Sequence, residues 1–248
     1  MPSSSRPRWR LFLLLWMGAF LFAGGLSAQT SGRSTVSFTF DFPGSNPPHY
    51  AISISAEGTG VYTSDGGLGT AQAVETPEAK SEEAESDDDS AAGPPAPSGP
   101  SQQEFAVSLA TRARIFDLAQ KAHYFEGDVD LKNKKLAFTG KKTLAYQDAQ
   151  KNTQATYNYS AIPAVQQLTA LFQGLSATLE FSRRLDYDLR YQKLAVEEEL
   201  KKMEEMAGDG ALSEVAAAGP VLQRIASDPS VINVSRARAQ RLLARAGK

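Results

Sequence analysis

The chain has 248 residues, with 26 Lys and Arg against 28 Asp and Glu, a formal net charge of −2 and no cysteine. The missing cysteines exclude disulfide staples, a thiolate metal site and a cysteine nucleophile, so stability has to come from packing. A negative total charge also argues against nucleic acid as a partner.

Residues 1–28 read as a secretory signal peptide. Arg6, Arg8 and Arg10 precede the apolar run "LFLLLWMGAFLFAGG", and Ala28 supplies the small residue a cleavage site needs, although Leu26 is larger than usual for its position. The competing reading is an uncleaved anchor helix, because Leu11 to Ala28 offers 18 mostly apolar residues, the lower edge of a bilayer span. Either way the body of the protein is expected outside the cytoplasm, periplasmic or secreted. Without the first 28 residues the formal charge becomes −5, unevenly spread. Residues 29–100 hold 11 acids against Arg33 and Lys80, whereas 101–248 hold 17 acids against 21 Lys and Arg.

"STVSFTFDF" (34–42) alternates apolar and polar residues, which puts Val36, Phe38, Phe40 and Phe42 on one face of a half-buried strand. After the loop "PGSNPP", residues 49–64 read as a hairpin. Tyr50, Ile52 and Ile54 share a face, and "AEGTG" turns, with Gly58 and Gly60 free to take positive φ. The composition then shifts over about 65–103. Eight acids and one lysine fall between Glu75 and Asp89, and Pro and Gly crowd 93–100. Burial cannot offset the entropy of ordering such a segment, so disorder is expected.

Phe105, Val107 and Leu109 suggest a short strand, and Ile115, Leu118, Ala119 and Ala122 a helix capped by Thr111. "KKLAFTGKKTLAYQ" (134–147) reads as a second hairpin turning near Gly140, and 152–160 as a further strand. Beyond Pro163 the apolar period lengthens. Val165, Leu168, Phe172, Leu175 and Leu179, then Leu185, Leu189, Val196, Leu200 and Met203, describe one long helix or two nearly collinear ones. "GDG" (208–210) ends it. Two shorter helices follow over 212–226 and 228–246, the last with Asp228 as N-cap and Pro229 at its first position. Only three strands precede the acidic segment, one of them short, a set that is marginal alone, so one antiparallel sheet interrupted by an insertion is the economical arrangement.

Motifs for chemistry are scarce. His49 and His123 have no partner at metal-ligand spacing, and neither G-x-S-x-G nor S-x-x-K is present. "GTG" and "DGGLG" fit turns rather than a phosphate cradle. Asp128, Asp130 and Asn133 lack the Gly and Glu that complete a calcium loop. The acidic run "SEEAESDDDS" reads as solvated. The C-terminal "SRARAQRLLARAGK" carries Arg236, Arg238, Arg241, Arg245 and Lys248; it reads first as a solvated face and second as a contact for an anionic membrane. Asp186 and Asp188 diverge on a helix, which suits i,i+4 ion pairs with Arg190 and Arg184 better than a glycosidase pair.

The chain so read is an α+β protein. A signal peptide (1–28) precedes an antiparallel sheet region (29–162), with one packed helix and an acidic, Pro-rich insertion at about 65–103. A helical region (163–248) packs on the sheet, formed by a long amphipathic helix and two short C-terminal helices. No cofactor, metal or catalytic residue is implied. The expected function is that of an exported, non-catalytic protein that binds another secreted or envelope protein, or an envelope component. The alternative is a hydrolase whose acid and base meet only in the fold. The residues chosen for partner binding are Tyr187, Tyr191 and Leu194, a second apolar stripe displaced round the long helix. Such a stripe is either core or an exposed patch in which aromatics concentrate binding energy.

Overall fold

The structure, a computed structural model, describes residues 34–67, 99–132 and 135–247. The expected signal peptide and most of the acidic insertion lie outside the described residues. Strands β1 (Thr35–Asp41), β2 (His49–Ser55), β3 (Thr59–Ser64), β4 (Ser101–Ala106), β5 (Lys141–Gln147) and β6 (Asn152–Tyr157) form one antiparallel sheet. Their order is β4-β3-β2-β1-β5-β6. The helices are α1 (Leu109–Lys121), α2 (Pro163–Tyr191), α3 (Ala195–Gly208), α4 (Gly219–Ser227) and α5 (Asn233–Ala246). The α+β class expected from the sequence is the class the chain adopts.

Period-two alternation is what makes the sheet one-sided. In β1, Val36 and Phe38 are fully buried while Ser37 and Thr39 face the other way, and β2 and β5 repeat the pattern. The buried face meets α1 and the first half of α2, where Phe38 stacks on Phe172 with ring centroids 5.3 Å apart. Ser64 pairs directly with Ser101, so the chain leaves β3 and re-enters β4 at neighbouring positions of one sheet.

Several boundaries differ from those expected. β4 begins at Ser101, inside the expected insertion, because 101–103 pair with 62–64 through the backbone although none of the three is apolar. Leu109 is not on that strand; it opens α1 and is exposed, and Ser108 rather than Thr111 is the cap, its Oγ accepting the Thr111 N–H at 3.2 Å. The second hairpin joins β5 to β6, not two strands about Gly140. Its turn is organised by Asp148, whose carboxylate accepts the N–H groups of Gln150 and Lys151 at 2.7 Å each. Gly140 lies before β5 with φ +99°, and a Cβ there would come within 2.5 Å of the Phe40 ring.

The long helix is broken, and its two parts are not collinear. The chain leaves the helix at Gln192, and α3 folds back along α2. Arg184 pairs with Glu199, and Leu185 and Leu189 share a core with Val196, Leu200 and Met203. A helical apolar period cannot separate a straight helix from a helical hairpin, since both need a stripe on each arm. Asp228 is not the cap of α5 either. It accepts the N–H and hydroxyl of Ser230, at 2.8 and 2.6 Å, in the turn between α4 and α5. No helix among the described residues is long and apolar enough to cross a membrane.

Candidate functional site

The last turns of α2 leave the shelter of the sheet and form one wall of a cleft of about 600 Å³. Arg183, Tyr187 and Tyr191 follow at steps of four, with Asp186 and Arg190 beside them, so helical periodicity alone puts them on one side. Ser101, Gln102 and Gln103 of β4 and Pro220, Val221 and Arg224 of α4 line it as well, with Ser182 and Ala217. The volume falls within the range of ligand-binding clefts.

Among the described residues β4 is an edge strand, and half of its backbone has no partner strand. The Val107 N–H donates to the Gly58 carbonyl at 2.9 Å, so alternation turns the backbone groups of Gln103 and Phe105 toward β3 and those of Gln102 and Glu104 outward. In the same wall, Ser101 Oγ is buried and has no hydrogen-bond partner among the described protein atoms. Buried hydroxyls in native proteins are nearly always satisfied, so an unsatisfied one lining a cleft is a place for a ligand atom or water.

The structure divides the three residues chosen from the sequence. Tyr187 is 9% exposed, Tyr191 51% and Leu194 87%. The two tyrosine rings touch, with centroids 5.0 Å apart, so the stripe runs from core to cleft mouth. Leu194 does not line the cleft. It stands on the turn between α2 and α3, where Lys193 reaches Asp228 of the α4–α5 loop at 3.3 Å.

Charge in the cleft is positive. Asp186 is held by Arg190 at 2.7 Å and by Arg224 as well, so two guanidiniums share one carboxylate. Arg183 faces inward instead. It donates to Glu180 at 2.7 and 3.0 Å, to Ser64 Oγ at 3.2 Å and to the Gly66 carbonyl at 3.2 Å. The Tyr62 hydroxyl donates to Glu180 at 2.6 Å, and burial, reinforced by that carboxylate, holds the phenol far above its usual pKa. Tyr62 is thus a permanent donor, and Glu180 is fully committed. This buried network fixes the stem of the insertion to α2 rather than offering an acid or base to a ligand.

Of the ion pairs expected on α2, Asp186–Arg190 is present, whereas Arg184 turns to Glu199 instead of Asp188. On α5, Arg238 pairs with Glu197 at 2.8 Å and with Glu204 at 2.5 Å, and Arg241 with Glu204 at 2.6 Å. A His–acid pair does exist: His49 Nδ1 lies 2.5 Å from Asp41 Oδ1 across the β1–β2 pair. It is not among the residues lining the cleft, whose carboxylate is taken up by arginines. Sequence reasoning missed Ser101–Gln103, Arg190 and Arg224 as cleft residues. Arg190 had a local signal in its spacing from Asp186, but β4 and α4 reach the site only through the fold. No protein-family model, curated protein or solved structure matches this chain.

Proposed function

We propose that this chain is an exported, non-catalytic binding protein and that the cleft takes an extended segment of another exported or envelope protein. The observation that carries this reading is the open backbone edge of β4, set against Tyr191 and Arg224 in one cleft. A strand added to that edge gains main-chain hydrogen bonds along Gln102 and Glu104, while alternate side chains reach the helical wall. The half-exposed Tyr191 ring offers flat apolar contact, and the guanidinium left in excess on Asp186 favours an acidic side chain in the bound segment. Export rests on the composition of residues 1–28.

The test is selection of peptides from envelope and secreted proteins on the full chain, followed by amide hydrogen exchange. Bound peptides are expected to slow exchange at Gln102 and Glu104 and to lose about tenfold in affinity with Arg224→Glu. Peptides that bind without slowing β4, and that tolerate the charge reversal, would sink the reading. Cleavage of a bound peptide that disappears with His49→Ala would favour the hydrolase alternative instead.

A further inference from the structure

At the other edge of the sheet, the chain before β5 winds over the end of β6. Four exposed large apolar side chains gather there: Leu131, Leu136, Tyr159 and Phe138, the last 60% exposed. Hydrogen bonds hold them on one rim. The Leu131 N–H donates to the Tyr159 carbonyl at 2.9 Å; the Asn158 side chain accepts the Thr139 N–H at 2.9 Å and donates to the Ala137 carbonyl at 3.0 Å. Phe138 is braced edge-on against Phe42, with centroids 6.0 Å apart.

The rim is also basic. Lys132, Lys135, Lys141 and Lys142 stand against Asp128, Asp130 and Asp41, the last opposite Lys141 in the β1–β5 ladder, and Lys132 is paired with Asp128 at 2.6 Å, which leaves a small positive excess in a chain whose total charge is −2. Three of these lysines are exposed, but Lys142 is buried. Its ammonium donates to the carbonyls of Asn158, Thr139 and Gly140 at 3.0, 3.1 and 3.2 Å. Three carbonyls at this rim are thereby satisfied from within, which lowers the cost of bringing non-helical backbone toward a medium poor in water. Apolar tips ringed by lysines are what interfacial segments present to acidic headgroups.

We propose that Leu131, Leu136, Phe138 and Tyr159, with Lys132, Lys135 and Lys141, dock the protein on an anionic bilayer surface. Phe138 and Leu136 enter the boundary between headgroups and acyl chains, and the lysines meet the acidic headgroups. An acidic protein would answer the lysines, but it would need a complementary pocket for Phe138, whereas acyl chains need none. The rim is favoured over the C-terminal helix because it sets four exposed large apolar side chains among its lysines, whereas among the described residues α5 exposes only Val234. The proposal does not depend on what the cleft binds.

Both tryptophans, Trp9 and Trp16, precede the described residues, so Trp9→Phe, Trp16→Phe and Phe138→Trp in the full chain leave one indole, at the rim. With phosphatidylcholine vesicles carrying brominated acyl chains, its emission should be quenched and blue-shifted when phosphatidylglycerol is included and unchanged without it. Lys135→Glu with Lys141→Glu should raise the lipid concentration needed by about tenfold or more. Quenching that is absent with phosphatidylglycerol, or equal without it, overturns the proposal. So does a shift with soluble polyglutamate but none with lipid, which assigns the rim to an acidic protein. Amide exchange at Leu131, Leu136 and Phe138 of the unaltered full chain on the same vesicles guards against misfolding of the variant. Slowing only with phosphatidylglycerol supports the proposal, and no slowing overturns it.

Discussion

Tyr187 and Tyr191 are one turn apart on α2 with their rings in contact, yet different forces hold them. Tyr187 has given up most of its surface to the protein, so Tyr187→Ser should cost about 2–4 kcal/mol of stability. Tyr191→Ser removes a half-exposed ring and should cost under about 1 kcal/mol while weakening peptide binding. Urea unfolding of the two single variants beside peptide titration separates the roles; equal destabilisation would make Tyr191 core. Asp188 gives a second residue-scale prediction. Burial, aided by the charge on Glu199, pushes its carboxyl up to about 6. Between the ordinary carboxylate range near 4 and that value, the folded state binds more protons than the unfolded state, so this group's contribution to stability falls as pH rises. Asp188→Asn should therefore stabilise at pH 7 by on the order of 1 kcal/mol, with the gain vanishing near pH 3. Glu204 runs the other way. The Arg241 hydrogen bond, with help from Arg238, draws it down to about 2, so its contribution is present above about pH 4.5 and lost as pH falls toward 2. A stability curve of the Asn variant that parallels the unaltered chain from pH 3 to 7 would refute the Asp188 assignment.

Elements were legible wherever burial imposes a period on side chains. β1 and β2 have one apolar face each, and the Gly58 turn from β2 to β3 has the positive φ, +90°, that the sequence anticipated. Legibility failed where backbone partners decide. The start of β4 is Ser-Gln-Gln, which carries no apolar signal and is ordered by its ladder to β3. Leu136 and Phe138 alternate like a strand, but Asn158 and Lys142 tie their segment into a rim. The cleft was half legible: the tyrosines lie on one helix and could be found by spacing, while Arg224 and β4 arrive from distant parts of the chain. Ser64 pairs directly with Ser101, so the sheet is expected to form without the segment between them. Replacing 68–98 by a short Gly/Ser link should leave the melting temperature unchanged or raise stability by about 1 kcal/mol, since a shorter loop costs less entropy to close. Thermal melting followed by circular dichroism checks this. A large loss of stability would mean that the segment contributes contacts to the folded body.

At the scale of the whole body, α2 is shared by two apolar cores. Its residues through Leu179 pack with the sheet and α1, and those from Phe181 onward pack with α3, α4 and α5. At 29 residues it is about 44 Å long, so neither core alone can cover it. The two cores are also tied at the middle of the helix. Thr178 donates to the Ser213 carbonyl at 2.8 Å, and Gly174 lets the 211–213 loop approach so closely that a Cβ would lie 2.6 Å from Ser213 Oγ. Losing either core strips one half of α2 of its apolar cover and exposes that surface to water. Unfolding should therefore be a single transition. Leu200→Ala in the helical core and Ile52→Ala in the sheet core should each cost about 2–5 kcal/mol and lower one common midpoint. The far-ultraviolet signal reports mostly on the helices, and the tyrosine signal mostly on Tyr50, Tyr62, Tyr146 and Tyr157 of the sheet core, so the two probes should stay superimposed in both variants. If Leu200→Ala moves the helical signal and leaves the tyrosine signal in place, α2 does not couple the cores, and the sheet with α1 stands as a unit of its own.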